Sequence, residues 1–67
     1  MKIYFTIEQL NAEANQDPVL FKDDSLHNTR LEYIRLTNET NKVLVLYKYL
    51  ENQFEEDEML NVICHNA

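Results

Sequence analysis

Residues 31–50, LEYIRLTNETNKVLVLYKYL, decide the fold. Two apolar-rich runs flank Asn38-Glu39-Thr40-Asn41, and the second, Val43 to Leu50, is dense in β-branched and aromatic residues. As a helix this second run is apolar on nearly every side, more than a small single domain can cover. As a hairpin with a four-residue loop, Thr37 opposes Lys42 and Leu36 opposes Val43. One face then carries Ile34, Leu36, Val43, Val45, Tyr47 and Tyr49, with Glu32 as its only charge. The other carries Tyr33, Arg35, Thr37, Lys42, Leu44, Leu46 and Lys48. The first reads as a core and the second as a mixed surface, the division that a half-buried sheet produces. The turn has no glycine, so only Asn38 and Asn41 can supply a positive φ cheaply. The alternative is a long or broken helix over residues 25–54, in an all-α domain that dimerises through 43–54.

Toward the N-terminus, Ile3-Tyr4-Phe5 reads as a short strand. Thr6 with Gln9 three residues on fits a capping box, and Phe5 with Leu10 fits a hydrophobic staple. These predict a helix over residues 7–16, closed by Pro18, which disfavours helical geometry at Asp17. Toward the C-terminus, Glu55, Glu56, Asp57 and Glu58 suit a helix N-terminus, where anions meet the positive end of the dipole. Met59, Leu60 and Ile63 would share one face of a helix over 54–65. The expected fold is a single α+β domain, 1–67. Its three-stranded antiparallel sheet (2–6, 31–37, 42–50) carries the two helices on one face.

The chain has 67 residues, with no glycine, one proline and one cysteine. These counts exclude a disulfide scaffold and a Gly-rich phosphate loop. A domain this small buries only about 60% of its unfolded surface, and its core gives about 3–5 kcal/mol of net stability. With no disulfide and no zinc spacing, self-association is the remaining staple, and a homodimer or a tight partner complex is expected. No apolar run approaches the roughly 18–20 residues needed to cross a bilayer. The first residues lack the apolar stretch of a signal peptide, so no membrane partner and a cytoplasmic location are expected.

Twelve acids against six bases give a net charge of -6, unevenly spread. Residues 30–48 hold Arg30, Arg35, Lys42 and Lys48 against Glu32 and Glu39, a balance of +2 that leaves -8 elsewhere. Such asymmetry fits an electrostatic recognition surface. On the mixed face, Tyr33, Leu44 and Leu46 are rimmed by Arg35, Lys42 and Lys48, an arrangement typical of an interface. Together with Glu55, Glu56, Asp57 and Glu58 they form the candidate partner-binding set. Leu46→Asp is expected to break association without unfolding, and Val45→Asp to unfold.

His27 and His65 stand apart from any Ser, Cys and acid set that makes a triad. The carboxylate run lacks the ligand pattern and glycine of an EF-hand loop. No catalytic residue, metal or cofactor is expected. The expected function is that of a small, acidic, non-enzymatic protein–protein interaction module. It would bind and inhibit a larger macromolecular machine, as adaptors encoded by phages or mobile elements do. The alternatives are a nucleic-acid-associated regulator using a basic patch at 30–48, which the overall acidity disfavours, and a structural assembly subunit.

Overall fold

Alternation along two stretches organises the molecule. Ile3, Phe5 and Ile7 alternate with Tyr4, Thr6 and Glu8, and Leu44 and Leu46 alternate with Val45, Tyr47 and Tyr49. Side chains of a strand point to opposite faces in turn, so each stretch divides cleanly when extended. In the computed structural model, which describes Lys2–Asn66, both are strands. Met1 and Ala67, the ends of the expected 1–67 domain, lie outside the described residues.

The elements run β1 (Ile3–Gln9), β2 (Val19–Asp23), α1 (Leu26–Glu39), β3 (Leu44–Leu50) and β4 (Glu58–His65). The four strands form one sheet in the order β2-β1-β3-β4, with every neighbouring pair antiparallel. The fold is α+β, a four-stranded antiparallel sheet with one helix. The helix lies over β1, β2 and β3 on one side and leaves β4 uncovered. Phe5, Ile7, Leu44 and Leu46 form the core between the two layers, and Phe21, Leu26, Tyr33, Leu36 and Ile63 pack against it.

Three expected elements are corrected. The first is the hairpin at 31–37 and 42–50. Its second strand exists as β3, but residues 31–37 lie inside α1 and β3 pairs with β1 instead. Leu26, Thr29, Tyr33 and Leu36 recur at helical spacing and turn toward the sheet, and Thr29 is fully buried. Ser25 caps the helix by accepting the Asn28 backbone N–H at 3.1 Å. Asp23 accepts the Ser25 N–H at 3.1 Å and the Asn28 amide at 3.4 Å, doing from outside what an N3 glutamate does in a capping box. At the other end the Thr40 N–H and hydroxyl both donate to the Leu36 carbonyl.

The second correction is the helix at 7–16. Strand β1 runs on through Gln9, because Ile7 fills the core opposite Phe21 and Leu46. The Thr6 hydroxyl donates to Glu8 at 2.8 Å and caps nothing. Beyond Leu10 the chain turns at Asn11, whose φ of 62° is the one left-handed value among the described residues. Asparagine tolerates that region best when glycine is absent. Asp17 then accepts the Val19 N–H at 2.9 Å and leads into β2.

The third is the helix at 54–65, which is strand β4 after a loop over residues 51–57. Two register shifts against β3 explain its helix-like pattern. Cys64, Asn61 and Glu58 stand opposite Leu46, Lys48 and Leu50, while His65, Val62 and Met59 stand opposite Val45, Tyr47 and Tyr49. Ile63 and Leu60 are the extra residues. A bulge sets two residues against one. Two bulges three residues apart therefore turn a period of two into a period of three, close to helical.

Candidate interaction surface

The sheet face away from α1 has no element over it. There Tyr4, Thr6 and Glu8 of β1 stand opposite Tyr49, Tyr47 and Val45 of β3, and Lys22 of β2 stands opposite Thr6. The Tyr4 and Tyr49 rings stack with centroids 5.3 Å apart and planes 6° from parallel. Tyr47 meets Tyr49 edge-on at 6.0 Å, and the Lys22 ammonium lies 4.4 Å from the Tyr4 ring centre. Beneath these rings Thr6 and Val45 are only 4% and 5% exposed.

The phenol tips are held by carboxylates. Tyr4 donates to Asp57 at 2.5 Å and Tyr49 to Glu8 at 3.0 Å. Burial first, and then hydrogen bonding to Glu8, pushes the Tyr49 hydroxyl up to about 12. The Tyr4 hydroxyl is raised too, by burial and then by the Asp57 contact. The same bond from Tyr4, followed by the Asn52 backbone N–H, holds Asp57 below the usual carboxylate range.

Asp57 ends the loop between β3 and β4, and that loop is braced. The Asn52 N–H donates to Asp57 at 3.0 Å, and the Asn52 side-chain oxygen accepts the Phe54 and Glu55 N–H groups at 3.0 and 3.3 Å. The brace presents Phe54 to solvent, 92% exposed, beside Glu55 and Glu56. Asx bonds of this kind fix turns without glycine.

The structure scatters the expected binding set. Leu44 and Leu46 are fully buried, so two residues assigned to a partner belong to the core. Val45, assigned to the core, is buried as well, and Tyr47 and Tyr49 beside it are half-buried. The alternation in β3 is correct, but the side that α1 covers is that of Leu44 and Leu46. Tyr33 points in beside Cys64, and burial raises its hydroxyl pKa. Lys48 belongs to the helix-facing row of β3, and Lys42 lies exposed in the connection between α1 and β3. Arg35 is engaged by Glu32 and, at 2.6 Å, by Glu39 on its own helix. The members of the basic patch at 30–48 are thus distributed over α1, β3 and the connection between them. Of the acidic run, Asp57 joins the tyrosine face through Tyr4, and Glu55, Glu56 and Glu58 are exposed around it.

Sequence analysis does not place Tyr4, Tyr47, Tyr49 or Phe54 in the candidate set. The signal for the tyrosines was the alternation of Tyr4, Thr6 and Glu8, readable once residues 3–9 are taken as one strand. Among the described residues no three His, Cys, Asp or Glu side chains converge, and no buried side-chain polar atom lacks a hydrogen bond. A shallow depression of about 430 Å³ is lined by Lys2, Tyr4, Lys22, Asp23, Asp24 and Glu51, beside the tyrosine face. No family model matches this chain, and neither a curated protein nor a solved structure matches it.

Proposed function

We propose that this chain is a non-enzymatic protein-binding module, acting on a larger assembly by occupying part of its surface. The observation that carries the reading is the pre-set aromatic array of Tyr4, Tyr49 and Tyr47, with the braced Phe54 at its margin. Tyrosines supply large amphipathic contact area at low entropic cost. These rings are already fixed by stacking and by hydrogen bonds to Asp57 and Glu8, so little order remains to be imposed on binding. The carboxylates around them favour a partner whose apolar pocket is rimmed by lysine or arginine. Nucleic acid fits this face less well. Glu8 and Asp57 stand at the phenol tips, where their charge would repel phosphates, and Lys22 is set over the Tyr4 ring.

Phe54→Ala gives a clean test, because a side chain so exposed contributes little to folding. The immobilised protein is expected to retain one host protein at fixed stoichiometry. Phe54→Ala and Tyr47→Ala, each with unchanged circular dichroism, are expected to release it. Recovery of nucleic acid alone, with affinity falling steeply as salt is added, would favour the regulator reading instead. Turnover of a small molecule by the purified protein would end the non-enzymatic one.

A further inference from the structure

Strand β4 ends the sheet, so its outward N–H and C=O groups have no neighbouring strand among the described residues. Proteins blunt such edges with lysine, proline, short length or bulges. β4 is eight residues long and has neither lysine nor proline, and its two bulges are the one such device it carries. Its interior, Met59–Cys64, carries no charge in a molecule of net charge -6. Met59, Leu60 and Val62 are between 40% and 48% exposed. The backbone of α1 stays clear of this strand, and only side chains reach it. Arg30 and Tyr33 reach toward it at Cys64, and Ile34, one turn beyond Arg30 on that flank, is 55% exposed.

The two bulges select what can pair here. They place Met59, Val62 and His65 on the open face at a spacing of three. A regularly alternating strand has a period of two and loses step with this pattern within a few residues. A second β4 keeps step. Reversed about Val62, its His65, Val62 and Met59 fall opposite Met59, Val62 and His65, so open-face residues meet open-face residues throughout.

We propose that two copies of this chain pair antiparallel along β4, with Val62 against Val62 of the second copy, to form one eight-stranded sheet. The charge-free interior of β4 lets two acidic chains meet without placing carboxylates face to face. Pairing also joins the two tyrosine faces into one surface, but it does not depend on what that surface binds.

Residue 62 meets itself across the axis, and this makes the register testable. Wild-type protein is expected to sediment at twice 8.0 kDa at micromolar concentration. Val62→Lys and Val62→Glu each set like charges against each other, and each alone is expected to sediment at the single-chain mass with its circular dichroism intact. Mixed together, they are expected to recover the doubled mass. A single-chain wild type, a dimer of either variant alone, or a mixture that stays dissociated would overturn the proposal. Should a charged variant unfold, Val62→Cys in a Cys64→Ser background decides. Opposed residues of antiparallel strands have Cα atoms about 4.5–5.5 Å apart, within disulfide reach. Mild oxidation is expected to link two chains covalently, and failure to link them overturns the pairing.

Discussion

The two faces of the central strands are built from neighbouring residues and solve one problem differently. On the helix side Phe5, Ile7, Leu44 and Leu46 are purely apolar and are sealed by α1. On the other side Tyr4, Tyr47 and Tyr49 share a face with Thr6 and Val45, which are 4% and 5% exposed although no helix or strand among the described residues lies over them. A phenol ring is apolar along its body and polar at its tip. Three of them can shelter a sheet while their hydroxyls stay at the water boundary, those of Tyr4 and Tyr49 bonded to carboxylates. The helix side is a core in the ordinary sense. The tyrosine side is a surface fixed almost as firmly, and its shape can be used.

The sharpest way to break this contrast is Leu46→Asp. An unpaired charge in that fully buried position is expected to abolish cooperative unfolding and the native circular dichroism, because burying a charge unpaired is strongly unfavourable. Leu46→Ala should cost about 2–5 kcal/mol in urea denaturation. A folded Leu46→Asp would show that the helix side is not the core. On the open side Tyr49→Ala removes one stack, one edge contact and one hydrogen bond. The expected loss is about 1–3 kcal/mol with the fold retained. A loss as large as that at Leu46 would erase the distinction between the faces.

Ser25→Ala tests how the helix is held over its side, and the expected cost is about 1 kcal/mol by thermal or urea unfolding. The smallest effect is confined to alkaline solution. The folded pKa of Tyr49, about 12, lies above its ordinary 10.0. Its contribution is therefore complete below pH 10 and is lost as pH rises toward the folded value. Phenolate absorbance should show Tyr49 ionising late, and denaturation should release it at its ordinary pH.

Much of the sheet was legible because alternation survives in β1 and β3. Ile3-Tyr4-Phe5 announced β1, and the Val43–Leu50 run announced β3. The helix is hidden because residues 31–50 begin inside it. Leu31 is already the sixth residue of α1, and its inward series starts at Leu26, beside a cap at Ser25. The competing cap at Thr6 was plausible locally and lost to the tertiary pairing of Ile7. β4 concealed itself through its bulges, whose three-residue spacing imitates a helix. The candidate surface failed for a related reason. A period of two separates two faces but does not say which one a helix will cover, and valine with tyrosine looks more like a core than leucine with lysine.

The absence of glycine, met at the single left-handed position of Asn11, also bears on the denatured chain. A sequence of this length with average usage would hold about five glycines. Each glycine exchanged for a side-chain-bearing residue at a compatible site narrows the random-coil ensemble by about 0.4–1 kcal/mol. Together that is about 2–5 kcal/mol, as much as a core this size supplies. Part of what keeps this small domain folded thus lies in how few shapes its polypeptide can wander through when it comes apart.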